Sequence, residues 1–303
     1  MEVRGLIVIA EKWFQLGNRL FAMGHFIGAA VAGGFKIVNP AFADYAAYFE
    51  STRYDLWCRF PALSEGRRTW AAQSRWPARR LEPLAQRLSG LLQKHHLNNR
   101  LVRAVTVGLQ DEFRLDRPDF QRWARRTCFL MVHGWSFRDP ERFESHADVI
   151  RHHFTPIAEL REQVWQVSAT ARAQCEILVG VHIRHGDYLV HLDGKYYYET
   201  ALYAAWMKQI VALFPGQRVG FLVCSNAPQD PAQFAGLNWM PGAGQLVVDM
   251  YSLAACDRII GPPSTFSQWA SFYGQRPLCI VRERNMMPVL DSFVVFNAHM
   301  SHT

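Results

Sequence analysis

Several common signatures are missing from this chain. Nowhere in its 303 residues do 18 consecutive apolar side chains occur, so no segment matches a spanning helix, which needs about 20. There is no G-x-G-x-x-G and no G-x-x-x-x-G-K-[ST], which excludes the usual dinucleotide and Walker-type phosphate loops. There is no C-x-x-C either. The six cysteines, Cys58, Cys128, Cys175, Cys224, Cys256 and Cys279, are scattered, and three sit inside apolar runs, so free thiols in a reducing compartment are expected rather than zinc or a disulfide framework. Charged residues make up 19% of the chain, against about 25% in an average soluble protein. Half the residues are apolar, which excludes disordered, collagen-like and coiled-coil classes. The apolar run Leu6 to Ala10 is too short for a signal-peptide core. The expectation is a soluble, cytoplasmic protein of two domains.

The charge that is present is unevenly placed. Arg67, Arg68, Arg75, Arg79, Arg80, Arg87, Lys94, Arg100 and Arg103 face only Glu65 and Glu82, so this stretch alone carries the whole net charge of +7. Within it Leu81, Leu84, Leu88, Leu91 and Leu92 recur at helical spacing, the pattern of an amphipathic helix with a basic outer face. Such a face is either simply solvated or attracts an anionic partner: a lipid headgroup at the inner membrane face, a lipid-linked phosphate or an acidic saccharide. Nucleic acid is not expected, because no base-reading motif accompanies the charge.

The final 130 or so residues alternate strand and helix patterns, which implies a parallel sheet with helices on both faces. Glu176–Arg184 and Arg218–Ser225 read as strands buried on both faces. Tyr196–Phe214 reads as a helix, Gln245–Asp249 as a third strand and Met250–Ala255 as a short helix. Arg258–Gly261, Ser264–Tyr273 and Pro277–Val281 complete the strand–helix–strand series. The first 150 residues are looser: a strand over Gly5–Ala10, a helix over about Asn18–Ala32, strands at Phe35–Val38 and Cys128–His133. The domain boundary is placed at 165/166, giving two α/β lobes with parallel sheets facing a cleft. Ligands of such sheets sit at the carboxyl ends of the strands.

Three clusters carry candidate chemistry. His182-Ile183-Arg184-His185-Gly186-Asp187-Tyr188 lies where a buried strand ends. His182 and Arg184 share a strand face, and a strand-end arginine suits bidentate phosphate binding. The same residues also fit a structural Arg–Asp pair capping the sheet. Gly261-Pro262-Pro263-Ser264-Thr265-Phe266-Ser267-Gln268-Trp269 opens a helix whose free N–H groups and positive dipole end form a phosphate site, or else Ser264 is a plain cap. Leu16-Gly17-Asn18-Arg19-Leu20-Phe21 occupies the first strand-to-helix turn, where a simple turn is the bland alternative. His146, His152 and His153 lack the spacing of a metal motif, and with His95-His96 they read as solvated. Of the ten tryptophans, Trp13 and Trp135 lie nearest the expected cleft; most of the others read as core.

Taken in this order, the clusters resemble the GDP-fucose fucosyltransferases of the α1,2 type, and more distantly the α1,6 and protein O-fucosyltransferases. Gly17-Asn18-Arg19-Leu20-Phe21 is similar to that family's G-N-Q-x-F turn, and His182 to Asp187 to its H-x-R-R-x-D motif. Asp249-Met250-Tyr251-Ser252-Leu253 followed by Ser264 to Trp269 is similar to its C-terminal signature. Gly134-Trp135 with Pro140 to Phe143 resembles the segment ending the first lobe. Residues 45 to 125 align to nothing.

The resemblance implies a GT-B fold, with the glycan acceptor on residues 1–165 and GDP-fucose on 166–303. It implies that Arg184 holds the β-phosphate, His182 contacts the nucleoside and Asp249 reads guanine. Ser264, Thr265, Phe266 and Ser267 would bind phosphate from the helix start, with Ser225 beside them, while Gly17, Asn18 and Arg19 approach the diphosphate. Two departures stand out: His185 replaces the motif's second arginine, and Arg19 its glutamine. The implied reaction inverts the anomeric carbon through an oxocarbenium-like transition state, with Arg184 and the helix start stabilising the departing phosphate. No D-x-D motif occurs, so no metal or other cofactor is expected. Asp187 is the first candidate for the general base that deprotonates the acceptor hydroxyl; Asp193, His185 and Glu112 follow. A transferase using another nucleotide sugar, or an inactive nucleotide- or anionic-glycan-binding protein, are the alternatives.

Overall fold

The computed structural model describes residues 5–63, 83–88, 90–92, 98–108 and 111–300. They divide into two compact units, one ending at Ile157 and one over Ala158–Met300. The architecture is mixed α/β on open, parallel sheets, with no closed barrel among the described residues.

The first unit is built on four parallel strands in the order β2-β1-β5-β3: β1 Leu6–Ile9, β2 Lys36–Val38, β3 Val102–Thr106 and β5 Phe129–His133. A small parallel pair, β4 Phe113–Arg114 and β6 Phe137–Arg138, lies apart from it. The helix after β1 spans Leu16–Gly33, so it begins two residues earlier than the sequence suggests. Gly17, Asn18 and Arg19 therefore form its first turn rather than a loop. Residues 83–88 and 90–92 are helical. With the sheet face below them they line a cavity of about 680 Å³, open to solvent and bordered almost wholly by apolar side chains including Leu84, Leu88, Leu92, Val8 and Met131. Of the basic stretch only Arg87, Arg100 and Arg103 fall among the described residues; Arg67, Arg68, Arg75, Arg79, Arg80 and Lys94 lie outside them, as do His95 and His96.

The second unit has six strands in the order β12-β11-β10-β7-β8-β9. They are β7 Ile177–Ile183, β8 Val219–Ser225, β9 Trp239–Pro241, β10 Arg258–Gly261, β11 Pro277–Ile280 and β12 Val294–Val295, parallel except for the β11–β12 pair. Alternation along β7 assigns its two faces. Val179, Val181 and Ile183 pack with Tyr203, Trp206 and Ile210 of the helix Thr200–Ala212. Leu178 packs with Leu253 and Ala270 from the helices Leu246–Ala255 and Thr265–Gly274. From β7 the chain moves outward to β8 and β9, then crosses back to β10. The switch point of the sheet therefore lies between β7 and β10.

One expected strand is a helix. Gln245 is an N-cap, its side-chain oxygen accepting from Val248 N at 2.6 Å, and Leu246–Ala255 is continuous helix. Val247 and Val248 are buried on a helix rather than inside a sheet, while Leu246 is exposed; short apolar runs do not separate the two cases. The third strand is instead β9, whose Pro241 is tolerated because the strand lies at the sheet edge. All six cysteines are free, four of them buried. His153, expected in solvent, is only 3% exposed and meets the rings of Phe60 and Phe154 edge-on. Burial pushes its pKa down to about 3. No described helix is long and apolar enough to cross a membrane.

Candidate functional site

The carboxyl ends of β7, β8 and β10 gather most of the singled-out residues of the second unit, on both sides of the switch point. Beyond β7 the chain turns through Arg184, His185, Gly186 and Asp187. Gly186 has φ +54°, and a Cβ there would lie 3.1 Å from the Asn226 amide, so the turn needs glycine. Arg184 donates to Asp187 Oδ2 at 2.7 Å, and its guanidinium carbon sits 5.5 Å from the Tyr188 ring centroid. The Arg184 side chain is 12% exposed and that of Asp187 47%. The result is a held, largely buried cation at a strand end.

Three ties fix this turn to its neighbours. Asn226, following β8, accepts from His185 N (2.8 Å) and donates to both His185 O (3.3 Å) and Asp187 Oδ1 (3.2 Å). The Tyr188 hydroxyl donates to Pro263 O at 2.7 Å, joining the β7 turn to the Pro262-Pro263 turn beyond β10. His182, buried at 3% exposure, lays its ring 4.7 Å from that of Phe266 in the first turn of the next helix. Burial first, and the Arg184 charge second, lower the His182 pKa to about 3, so the ring is neutral at ordinary pH.

The helix start itself is formed by Ser264, whose Oγ accepts from Phe266 N at 3.3 Å. Thr265 is its first residue and is half-buried. Ser267 is fully buried and its hydroxyl donates to Ser264 O at 3.2 Å, so it serves the helix. Ser225 ends β8, and its Oγ accepts from Ala227 N and from the Gln229 amide. His185 is likewise committed: Nε2 donates to Tyr198 O (2.8 Å), and Nδ1 accepts from Gln229 Nε2 (3.3 Å).

Asp249 lies at the carboxyl side of β9, in the first turn of Leu246–Ala255. Its Oδ1 accepts from Ala243 N at 2.7 Å, closing the loop after β9. Burial raises its pKa to about 6, against the pull of the Ala243 and Gly244 N–H groups. Asp193 falls in a turn with φ +54°. Glu112 is exposed in the first unit.

Gly17, Asn18 and Arg19 belong to the first unit. The Arg19 guanidinium is taken up internally: Nε and one terminal nitrogen donate to Phe14 O (3.2 and 3.1 Å), the other to Ala41 O and Asp44 Oδ2 (both 3.1 Å). Asn18 lines a shallow depression with Glu11, Trp13, Asn39 and Trp135. Sequence reasoning named the motif residues but missed the groups that hold them, Asn226, Gln229 and the Pro263 carbonyl. Only the position of Asn226, one residue beyond a strongly apolar strand, signals it. Among the described residues no cluster of three or more His, Cys, Asp or Glu side chains is arranged to hold a metal ion.

The fold these sheets define is shared with fucosyltransferase structures. A mutant of Arabidopsis thaliana FUT1 in complex with GDP aligns with a TM-score of 0.56 at 13% identity, over 96% of this chain and 73% of that one. NodZ α-1,6-fucosyltransferase soaked with GDP-fucose aligns with a TM-score of 0.53 at 17% identity, over 93% and 96%. POFUT1 in complex with GDP gives 0.50 at 11% identity, over 91% and 97%. No family model and no curated protein sequence matches the chain. At these identities the likeness is one of fold.

Proposed function

We propose that this chain is an inverting fucosyltransferase that moves L-fucose from GDP-fucose to a hydroxyl of a glycan acceptor, forming an α1,2 linkage. The observation that carries the reading is Arg184. It is a buried cation beside the switch point, oriented by Asp187 and tied through Tyr188 to the turn that opens the helix at Ser264. A guanidinium and a helix start side by side supply charge and N–H donors to a diphosphate, the group on which negative charge grows as the anomeric bond breaks. Order and spacing of the three sequence motifs support fucose and the α1,2 linkage, and the fold shared with structures solved with GDP and GDP-fucose supports the donor. In this reading the donor charge is met by protein groups alone, with no metal. Asp187 is tied to Arg184 and Asn226, which makes it an orienting group more than a base.

The reading extends to residues 67–103 as the contact for an anionic membrane or lipid-linked acceptor at the cytoplasmic face. The basic composition of that stretch and the apolar cavity beside residues 83–92 support it.

Calorimetric titration with GDP, UDP and ADP in EDTA tests the donor. Selective GDP binding is expected, and Arg184→Ala should weaken it by about 10- to 100-fold, the worth of a charge-assisted pair, with an unchanged melting temperature. Selective UDP or ADP binding would move the donor to another nucleotide sugar. Binding of none would remove the donor site from the switch point. Tight GDP binding without transfer to any glycan would favour an inactive binder.

A further inference from the structure

Tyr188 closes the cluster that begins at His182, and the donor-site reading gives it no duty of its own. It lies in the second unit, in the short turn of helix Gly186–Leu189 that follows β7, and is 8% exposed. Its ring belongs to the apolar layer that holds Val181, Ile183 and Val281. A phenylalanine would serve that layer equally well, so the hydroxyl is the feature to explain. It donates to Pro263 O at 2.7 Å, 75 residues further along the chain and across the switch point of the sheet. Burial raises its pKa above the ordinary tyrosine value, so it stays a donor at ordinary pH.

The strands explain why a side chain makes this link. β7 and β10 are paired as far as Val181 and Ile260. Beyond that pair β7 runs on through Ile183 into Arg184, while β10 ends at Gly261 and turns at Pro262 and Pro263. Neither proline has an N–H, so this turn cannot extend the ladder toward Arg184 by donating to it. The tyrosine hydroxyl crosses the gap instead, reaching the carbonyl that immediately precedes the N-cap Ser264. The same ring carries the Arg184 guanidinium carbon 5.5 Å from its centroid. One rigid side chain thus touches both the cation and the turn that presents the helix's N–H groups. The side chain is itself held, by His191 stacked on the ring at 5.2 Å and by Tyr188 N donating to His185 O at 3.0 Å.

A diphosphate differs from a monophosphate in offering two anionic groups at a set separation. To use a guanidinium and a helix start together, it must find them equally far apart. Donors stabilise charge fully only within about 2.7–3.1 Å of the oxygen they serve, and a misplacement of about 1 Å can cost on the order of 10²-fold. We propose that Tyr188 is the positioning residue that sets the spacing between Arg184 and the helix start at Ser264, and that this spacing makes the site select a nucleoside diphosphate over the monophosphate. The assignment rests on the fucosyltransferase reading above and deepens its donor site. A monophosphate engages one of the two groups at a time, so its binding is indifferent to their separation.

The test is titration of the full chain with GDP and with GMP, in the unmutated protein and in two variants, with a thermal melt of each. Tyr188→Phe removes only the hydroxyl. It should lose about 3- to 10-fold in GDP affinity, the worth of one hydrogen bond, and keep its GMP affinity within about twofold. His191→Ala strips the stacked ring but leaves the hydroxyl, and should keep the GDP-to-GMP ratio of the unmutated chain. A merely structural role for Tyr188 would lower the melting temperature and weaken both nucleotides alike; that result would overturn the assignment. Unchanged affinity for both nucleotides in Tyr188→Phe would overturn it too. So would an equal shift of the ratio in His191→Ala, which would transfer the effect from the hydroxyl to the packing of the ring. These three results leave the fucosyltransferase reading intact. Failure of that reading is distinguishable, since the unmutated chain would then bind no GDP, and the assignment would fall with it.

Discussion

Asn226 contributes three hydrogen bonds to one turn, and each would otherwise be made by water or by nothing. Its side chain is exposed, so its value lies in holding Arg184 and Asp187 in place rather than in burial. Asn226→Ala should therefore change stability by about 1 kcal/mol or less, yet weaken GDP binding several-fold, because the turn must then be ordered by the ligand. Thermal melts beside GDP titrations separate the two effects. His185 shows the opposite economy. Where the resembling families carry a second arginine, this chain places a ring bonded at both nitrogens to Tyr198 and Gln229. Arg19 is likewise spent on Phe14, Ala41 and Asp44. Both departures in the motifs are thus engaged with groups of their own unit.

At the level of elements, the sequence was readable where burial on both faces leaves an unbroken apolar run. β7 and β8 lie within the stretches that hydrophobic pattern assigns them, because each is covered by helices on two sides. The helix start at Ser264 was readable for a related reason: two prolines followed by a serine leave the chain little else to do. Gln245 to Asp249 is helical against the expected strand because an apolar run of three residues looks alike in a strand and in a buried helix. β9 was invisible because it is short and ends in proline. The candidate site was half legible. Motif residues were named from type and order, whereas Asn226 and Gln229 depend on contacts between residues 39 to 44 positions apart, which no local pattern records.

The register of β7 against β10 sets how closely the two turns approach. Gly261 sits where a Cβ would meet His182 Cβ and His182 O at 3.0 Å each. Gly261→Ala should push β10 from β7, cost about 1–3 kcal/mol as overpacking does, and lower GDP affinity without touching a ligand-facing side chain. Differential scanning calorimetry with and without GDP would show both shifts. An unchanged melting temperature would mean the strands have slack that the register does not suggest.

On the scale of the whole molecule, the two units differ in how their interiors are filled. Residues 158–300 close two apolar layers around a six-stranded sheet, with Trp206, Trp269, Tyr198 and Tyr203 buried in them. The first unit leaves about 680 Å³ between its sheet and residues 83–92. That space is open to solvent past Leu84 and Leu88, which are 62% and 49% exposed, and an apolar concave lining is the kind that takes up hydrocarbon. A hydrocarbon-bearing molecule that fills it should raise the melting temperature of the first unit, followed by Trp57 fluorescence, and leave the second, followed by Trp206, unmoved; equal shifts in both would place the binding elsewhere. The space would then act as a gauge: melts run against a series of aliphatic compounds would rank what it accepts, without any assay of turnover.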